Sequence, residues 1–94
     1  MSPDVWVPVP LRWRHALQGD VFVGGDGQLW MVMERYEYKG QHGAVACRSK
    51  EYDAPINPDD VIQVLVPVSE RDALELTREQ LGARVVERRT GVAE

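Results

Sequence analysis

Few side chains in this sequence could bind a metal ion or act as a nucleophile, and their spacing matches no motif for either role. The histidines, His15 and His42, form no HxH or HxxxH pair. A metal site would need both to converge with carboxylates such as Asp20 or Asp26. The single cysteine, Cys47, has no histidine at a spacing that marks it as a nucleophile. We therefore predict exposed histidines, a cysteine inside a strand, and no metal or other cofactor.

Acidic pairs and glycine-rich turns are the next candidates for chemistry. Asp59 and Asp60 follow Pro58 in a turn, where adjacent carboxylates point in different directions and serve the backbone. Residues 24–27 lack the following helix of a phosphate-binding loop, and no GxxxxGKS/T, GxSxG or GxGxxG motif is present. We predict that the protein is not an enzyme.

Basic side chains form three clusters, and a barrel could bring two of them onto one face. Such a face, beside Trp13 or Tyr36, would resemble a nucleic-acid groove with stacking platforms. The alternative is solvated charge, because glutamates are interleaved with the clusters and the net charge of the chain is −4. The clusters are Arg12, Arg14 and His15; Arg48 and Lys50; and Arg84, Arg88 and Arg89.

The first ten residues suggest a different kind of contact. Valines alternate with Trp6, Pro8 and Pro10, and proline cannot donate the hydrogen bond of a central strand. The segment is therefore an edge strand or an extended arm, which could add to a partner's sheet or join two copies of the chain. Alternatively, Trp6 and Trp13 plug the mouth of a barrel. The candidate interaction surface comprises Trp6, Trp13, Arg12, Arg14, Tyr36, Tyr38, Arg48 and Lys50.

The size and composition of the chain indicate how many domains it forms and in which compartment it folds. A chain of 94 residues, 44% hydrophobic and 28% charged, is typical of one folded domain with a single core. The first residues show no secretory signal, and no run approaches the roughly 18 apolar residues of a membrane span. A lone cysteine requires no oxidising compartment. We expect a single domain, residues 1–94, in the cytoplasm.

The strands are organised around residues 19–33, GDVFVGGDGQLWMVM. An Asp-Gly pair between two apolar runs is a strong hairpin signal, so residues 24–27 predict a reversal between two strands. Further strands are predicted over residues 44–47, 50–56 and 61–68. About five short strands close most readily into a small antiparallel barrel over residues 5–66, because closure hides the sheet edges.

After the last strand the hydrophobic period changes from two to three or four. Ser69, with an acid three residues later, predicts a helix N-terminus, and apolar residues recur until Gly82, a residue type common just past helix ends. We predict a helix over residues 69–82. Residues 83–90 then predict a short strand, with a continuation of the helix as the alternative. Residues 91–94 are expected to form a mobile tail.

Residues 17–53 resemble the SH3-like small barrels, and in pattern the KOW-type barrel at the N-terminus of translation elongation factor P. The similarity lies in LQGDVFVGGDGQLWMV, a strand, hairpin and strand, and in YKGQHGAVACRSK, a glycine-flanked loop before a small-sided strand. This resemblance implies ribosome or nucleic-acid binding. The family's loop presents a modifiable lysine, whereas Gln41 and His42 stand at the tip here and Lys39 lies toward the base, so that role is not carried over. The sequence is also similar in style to small proteins of actinobacteria and their phages.

The sequence thus predicts a mainly β protein, a small SH3-like antiparallel barrel of about five strands with one C-terminal helix. Its predicted function is non-enzymatic interaction with a protein partner, a host factor if a phage encodes it, or with a second copy of itself. The alternative is nucleic-acid or ribosome-associated binding through Arg12, Arg14, Arg48 and Lys50. Proline-rich peptide binding of the SH3 type is disfavoured, because its acidic aromatic signature is missing at the first strand.

Overall fold

The computed structural model describes residues 4–91, which contain six strands and two helices. A single turn of 3₁₀ helix, Trp13–His15, follows the first strand. No helix in this part of the chain is long and apolar enough to cross a membrane. The strands are β1, Val5–Arg12; β2, Val21–Val23; β3, Leu29–Tyr38; β4, Gln41–Cys47; β5, Glu51–Pro55; and β6, Val61–Val68. The helices are α1, Glu70–Glu75, and α2, Arg78–Thr90.

All six strands form one antiparallel sheet in the order β1-β6-β2-β3-β4-β5. Residues paired across strands point to the same face, so Val9, Val64, Phe22 and Trp30 form one row. We call this side the inner face; Val9 and Val64 are fully buried there. The prediction of a mainly antiparallel β protein with a C-terminal helix is confirmed.

The sheet is not a closed barrel, which corrects the closure predicted over residues 5–66. In the described chain β1 pairs with β6 alone and β5 with β4 alone, so both are edge strands. The N-terminal segment is an edge strand rather than a free arm, because all eight residues of β1 pair with β6. An edge strand tolerates Pro8 and Pro10, since alternate residues direct their N–H groups away from the neighbouring strand.

The C-terminal segment forms two helices instead of the single helix predicted over residues 69–82. Ser69 caps α1, its Oγ accepting a backbone N–H at 3.1 Å, but the chain becomes extended at Leu76. Thr77 then begins α2 with a capping box, in which Thr77 and Gln80 exchange side chain-to-backbone hydrogen bonds of 2.9 and 3.1 Å. The second helix therefore starts from a cap of its own.

Residues 83–90 continue α2, so the predicted short strand is wrong and the alternative, a helix continuation, is correct. Gly82 does not end the helix. A Cβ at this position would lie 2.7 Å from the Pro10 carbonyl oxygen, so glycine allows α2 to approach β1 closely. The helix ends at Thr90 and is capped by Gly91, which adopts a φ of 70°. The rest of the tail predicted at residues 91–94 lies outside the described residues.

Helix α2 covers the inner face on its β1–β6 side. Leu81 and Val85 are 3% and 7% exposed and belong to one core cluster with Val9, Val64 and Val66. Each fully buried side chain of this size contributes roughly 1.5 to 3 kcal/mol to stability. Farther along the inner face Val32 and Ala44 are still buried, but in the described chain Ala46 is only partly buried, and Tyr52 and Ala54 are exposed.

An ion pair ties the last turn of α2 to the residue before β2. Arg89 donates to both carboxylate oxygens of Asp20, at 2.6 and 2.9 Å, and to the His15 carbonyl at 2.9 Å. The Arg89 and Asp20 side chains are only 19% and 14% exposed. A shielded, bidentate pair of this kind fixes both position and orientation, so it helps to hold α2 over β1.

Candidate binding groove

The open part of the inner face forms a groove of about 360 Å³, which we call the aromatic groove. It lies over β3, β4 and β5 and is bordered by the hairpin before β3 and by the turn before β6. Its walls and floor are mainly apolar, and its polar groups are few. It is lined by Trp13, Phe22, Gly24, Gly25, Asp26, Trp30, Ala44, Ala46, Tyr52, Ala54, Pro55, Ile56, Asn57 and Asp60.

Alanines form the floor of the aromatic groove. Ala44 pairs with Ala54 across β4 and β5, and Ala46 lies between Val32 and Tyr52 in the next row. These small side chains leave space above the sheet, whereas larger valine side chains fill the space beneath α2. The depth of the groove therefore follows from side-chain volume along the sheet.

Two pairs of aromatic rings form the walls. Trp30 and Tyr52 meet edge to face, with ring centres 5.2 Å apart and planes inclined by 75°. Trp13 and Phe22 form a similar pair at 5.1 Å and 72°. Aromatic pairs favour these geometries, so each ring restricts its neighbour. The Trp13 backbone is also fixed, since its N–H donates to the Asp60 carbonyl at 3.0 Å.

Asp26 and Trp30 form a polar corner of the groove, the Asp26–Trp30 corner. Asp26 Oδ1 accepts the Gln28 N–H at 2.9 Å and the Trp30 indole N–H at 3.3 Å. These hydrogen bonds, the backbone bond first, hold the pKa of the Asp26 carboxyl below its usual range. Gly24 lies against the indole, where a Cβ would come within 2.6 Å of Trp30 Nε1. The corner thus depends on a glycine and a charged carboxylate.

Arg48 follows β4 and places its guanidinium against the same corner. Its central carbon lies 6.0 Å from the Trp30 ring centre, and its Nη1 lies 3.4 Å from Asp26 Oδ2. Both distances are long for a cation–π contact and for a charged hydrogen bond. The Arg48 and Asp26 side chains are each 46% exposed. The corner therefore accommodates a positive charge but holds it loosely.

A second hollow, of about 320 Å³, is more polar. Tyr36 donates its hydroxyl to Asp53, and this hydrogen bond is the main cause that raises the pKa of Tyr36. Arg14 pairs with Asp59, and Arg35 donates to a backbone carbonyl at 2.6 Å. Both arginines are therefore already engaged. The second hollow is lined by Arg14, Arg35, Tyr36, Glu37, His42, Gly43, Ile56 and Pro58.

Four of the eight residues predicted as an interaction surface lie at these two hollows. Trp13 lines the aromatic groove, and Arg48 lies at its Asp26–Trp30 corner. Arg14 and Tyr36 line the second hollow. The structure thus divides the predicted basic and aromatic residues between two places.

The other four predicted residues lie outside both hollows. Trp6 pairs with Pro67 on the face opposite the core and is 65% exposed, so it plugs no barrel mouth. Tyr38 is 66% exposed at the end of β3. Arg12 lies at the seam between β1 and α2, and Lys50 is exposed in the turn between β4 and β5. Arg14 and Arg48, from the first two basic clusters, therefore lie at different hollows.

Sequence reasoning missed Trp30, Tyr52 and Asp26 as groove residues. A usable signal was present, because Ala44 and Ala46 alternate along one strand and leave space above the sheet. The aromatic rings that border this space depend on the strand order and on where α2 stops covering the sheet. Neither follows from local sequence.

The histidines and the cysteine lie apart from the groove's polar corner. The prediction that His15 is exposed is wrong: the residue is partly buried, and its Nδ1 is shielded from water and has no hydrogen-bond partner within the described chain. Burial, and then the charge of Arg14, lower the pKa of His15. His42 is exposed as predicted, and Cys47 is a partly buried free thiol at the end of β4. Among residues 4–91 no group of His, Cys, Asp and Glu side chains could hold a metal ion.

Comparison with protein-family models, with curated proteins and with solved structures finds no match to this chain.

Proposed function

We propose that the protein is a non-enzymatic binding module whose aromatic groove takes an extended segment of a protein partner. The observation that supports this most directly is the uncovered, aromatic-walled part of the inner face. Tryptophan and tyrosine side chains supply much of the energy at protein interfaces, and small apolar floors admit a partner's side chains. At about 360 Å³ the groove suits a few inserted side chains rather than a folded element.

The free edge of β5 supports the same proposal. β5 borders the groove through Tyr52, Ala54 and Pro55, and in the described chain it pairs with β4 alone. A segment lying in the groove is therefore beside unpaired backbone and can add to the sheet as another strand. Pro55 limits this pairing to the residues before it, because proline donates no hydrogen bond.

The test compares two exposed tyrosines. Tyr52 and Tyr38 are 52% and 66% exposed, and Tyr52 lines the groove whereas Tyr38 does not. Immobilised wild type, Tyr52→Ala and Tyr38→Ala are incubated with nuclease-treated lysate of the organism that encodes the chain. Retained proteins are identified by mass spectrometry, purified, and titrated against each variant in solution.

We expect Tyr52→Ala to weaken binding of the retained partner about tenfold or more and Tyr38→Ala to leave it unchanged. Equal affinity of the two variants, or a partner retained only while nucleic acid is intact, contradicts the proposal. Retention of the chain itself would identify the partner as a second copy.

Nucleic-acid binding is the second candidate, and the second hollow is the observation that favours it. Arg14, Arg35 and Tyr36 combine positive charge with an aromatic ring there. A phosphate would have to compete with the Asp59 carboxylate for Arg14. Gel-shift affinity for single-stranded RNA should then fall steeply with salt and fall further in Arg14→Gln. No binding at low salt rejects this candidate.

The biological setting is also a proposal. A cytoplasmic location is supported by the free thiol of Cys47, which suits a reducing compartment. The relation to KOW-type barrels, and a role in binding a host factor if a phage encodes the chain, are extensions of the same proposal.

A further inference from the structure

The Asp26–Trp30 corner has the chemistry of a cation site. The indole face is electron-rich and attracts guanidinium and ammonium groups. The Asp26 carboxylate is held beside it by the Gln28 N–H at 2.9 Å and the indole N–H at 3.3 Å. Asp60 is a second acidic residue of the groove lining, and the basic side chain against the corner is that of Arg48, which follows β4. The groove therefore favours a positively charged ligand over a phosphate.

The chain itself shows a cation at this corner. Arg48 lies over the Trp30 ring and beside Asp26 at distances of 6.0 and 3.4 Å, and about half of its side chain remains exposed. Arg48 lies in the turn that joins β4 to β5, outside the regular strands. Its guanidinium can therefore leave the corner without breaking strand pairing.

We propose that the Asp26–Trp30 corner binds an arginine or lysine side chain of the partner segment, and that Arg48 is the intramolecular competitor which occupies the corner in the unbound protein. This inference rests on the proposed function of the aromatic groove. The partner is then an extended segment with a basic residue that enters beside Trp30 and apolar residues that lie over the alanine floor. Arg48 sets the affinity of the corner and excludes weakly bound cations.

The test uses N-acetyl-arginine amide as the probe and the uncharged N-acetyl-citrulline amide as its matched control. Both are titrated into ¹⁵N-labelled protein at constant ionic strength while the indole N–H resonance of Trp30 is followed by NMR. The indole resonance of Trp6 serves as the internal reference, since Trp6 is 65% exposed on the opposite face of the sheet. The variants are Arg48→Gln, which removes the competitor, and Asp26→Asn, which keeps the Oδ1 acceptor but removes the charge.

We expect the arginine probe, and not the citrulline probe, to shift the Trp30 resonance. Its affinity should rise about threefold in Arg48→Gln and fall about threefold in Asp26→Asn, the changes expected for one exposed cation contact. Equal shifts from both probes, no shift even in Arg48→Gln, or an affinity that is indifferent to Arg48 would overturn the inference. Those results leave the proposed function standing if Tyr52→Ala still weakens partner binding and Tyr38→Ala does not, so the two failures are distinguishable.

Discussion

The two sides of the inner face belong to one sheet but differ in what covers them. On the β1–β6 side, Val9, Val64 and Val66 lie under α2 and are almost completely buried. On the β3–β5 side Val32 is still buried, but alanines occupy the inner face of β4 and β5, and Trp30 and Tyr52 line the open groove. The helix closes the first side because its own side chains fit the valine surface. The second side keeps part of its apolar surface exposed, as the proposed function requires.

Under the proposed function, the first side supplies the stability of the fold and the second side supplies binding. Buried contacts hold the fold together, whereas exposed aromatic rings on a rigid sheet can be replaced without unfolding it. We therefore call the two regions the covered side and the open side, and expect substitutions in them to change different properties.

The largest effect is expected at Leu11 on the covered side. Leu11 is 2% exposed, and Leu11→Ala leaves a cavity beneath α2 that should lower the free energy of unfolding by about 3 kcal/mol. Tyr52→Ala on the open side should cost about 1 kcal/mol or less, since Tyr52 is 52% exposed. Urea unfolding followed by tryptophan fluorescence measures both. An equal loss of unfolding free energy in the two variants would contradict the expected difference between the covered side and the open side.

The next effect concerns the ion pair that anchors α2. Asp20→Asn leaves the shielded guanidinium of Arg89 without its counter-charge, and we expect a loss of about 2 kcal/mol. The matched control is Glu75→Gln, which removes an exposed i,i+4 pair with Arg71 and should cost a few tenths of a kcal/mol. A similar loss in both variants would show that the Asp20 pair does not hold the helix.

Local sequence predicts the parts of this fold that local chemistry decides. The reversal at residues 24–27 lies between β2 and β3 as predicted, and Ser69 caps a helix as predicted. The cap at Thr77 was also readable, because Gln80 follows three residues later. It was missed because the apolar period runs through it toward Gly82.

Long-range contacts decide the rest. Gly82 is a packing residue because of Pro10, more than seventy positions earlier, so its neighbourhood in the sequence suggests a helix end instead. Register in β3 shifts by one residue between Val32 and Glu34, which places Arg35 opposite Ala44 on the groove side. Such a bulge changes which side chains meet, and no alternation pattern reveals it in advance.

Gly82 gives a smaller test of the covered side. A methyl group there would lie 2.7 Å from the Pro10 carbonyl oxygen, so Gly82→Ala must push α2 away from β1. We expect a net loss of about 1 kcal/mol, because the strain exceeds the gain in helix propensity. The control is Gly25→Ala on the open side, where a Cβ meets nothing within 4 Å. Stabilisation by Gly82→Ala would show that the seam can open without cost.

The smallest effect is a pH dependence at the same seam. His15 lies with Pro10 and Gly82 between β1 and α2, and its Nδ1 is shielded and unpaired within the described chain. Burial comes first among the causes that lower the pKa of His15. The positive charges of nearby arginines lower the pKa further. They are Arg14 of the 3₁₀ turn, Arg12 of β1, Arg35 of β3 and Arg89 of α2.

The folded protein disfavours the charged imidazole, so protonation of His15 lowers the free energy of unfolding. The protein therefore has its full stability above the ordinary His15 pKa of 6.5 and loses stability as the pH falls through that value toward the lowered pKa. Urea midpoints of the wild type should therefore fall between neutral pH and the mildly acidic range, and those of His15→Gln should fall less. His42→Gln, a change at an exposed histidine, should keep the wild-type dependence of the urea midpoint on pH.

On the open side, the lowered pKa of Asp26 predicts a loss of stability only at much lower pH, below its ordinary value of 3.8. If His15→Gln and the wild type share one pH profile, the acid sensitivity belongs elsewhere, and the covered side is no more sensitive to mild acid than the open side.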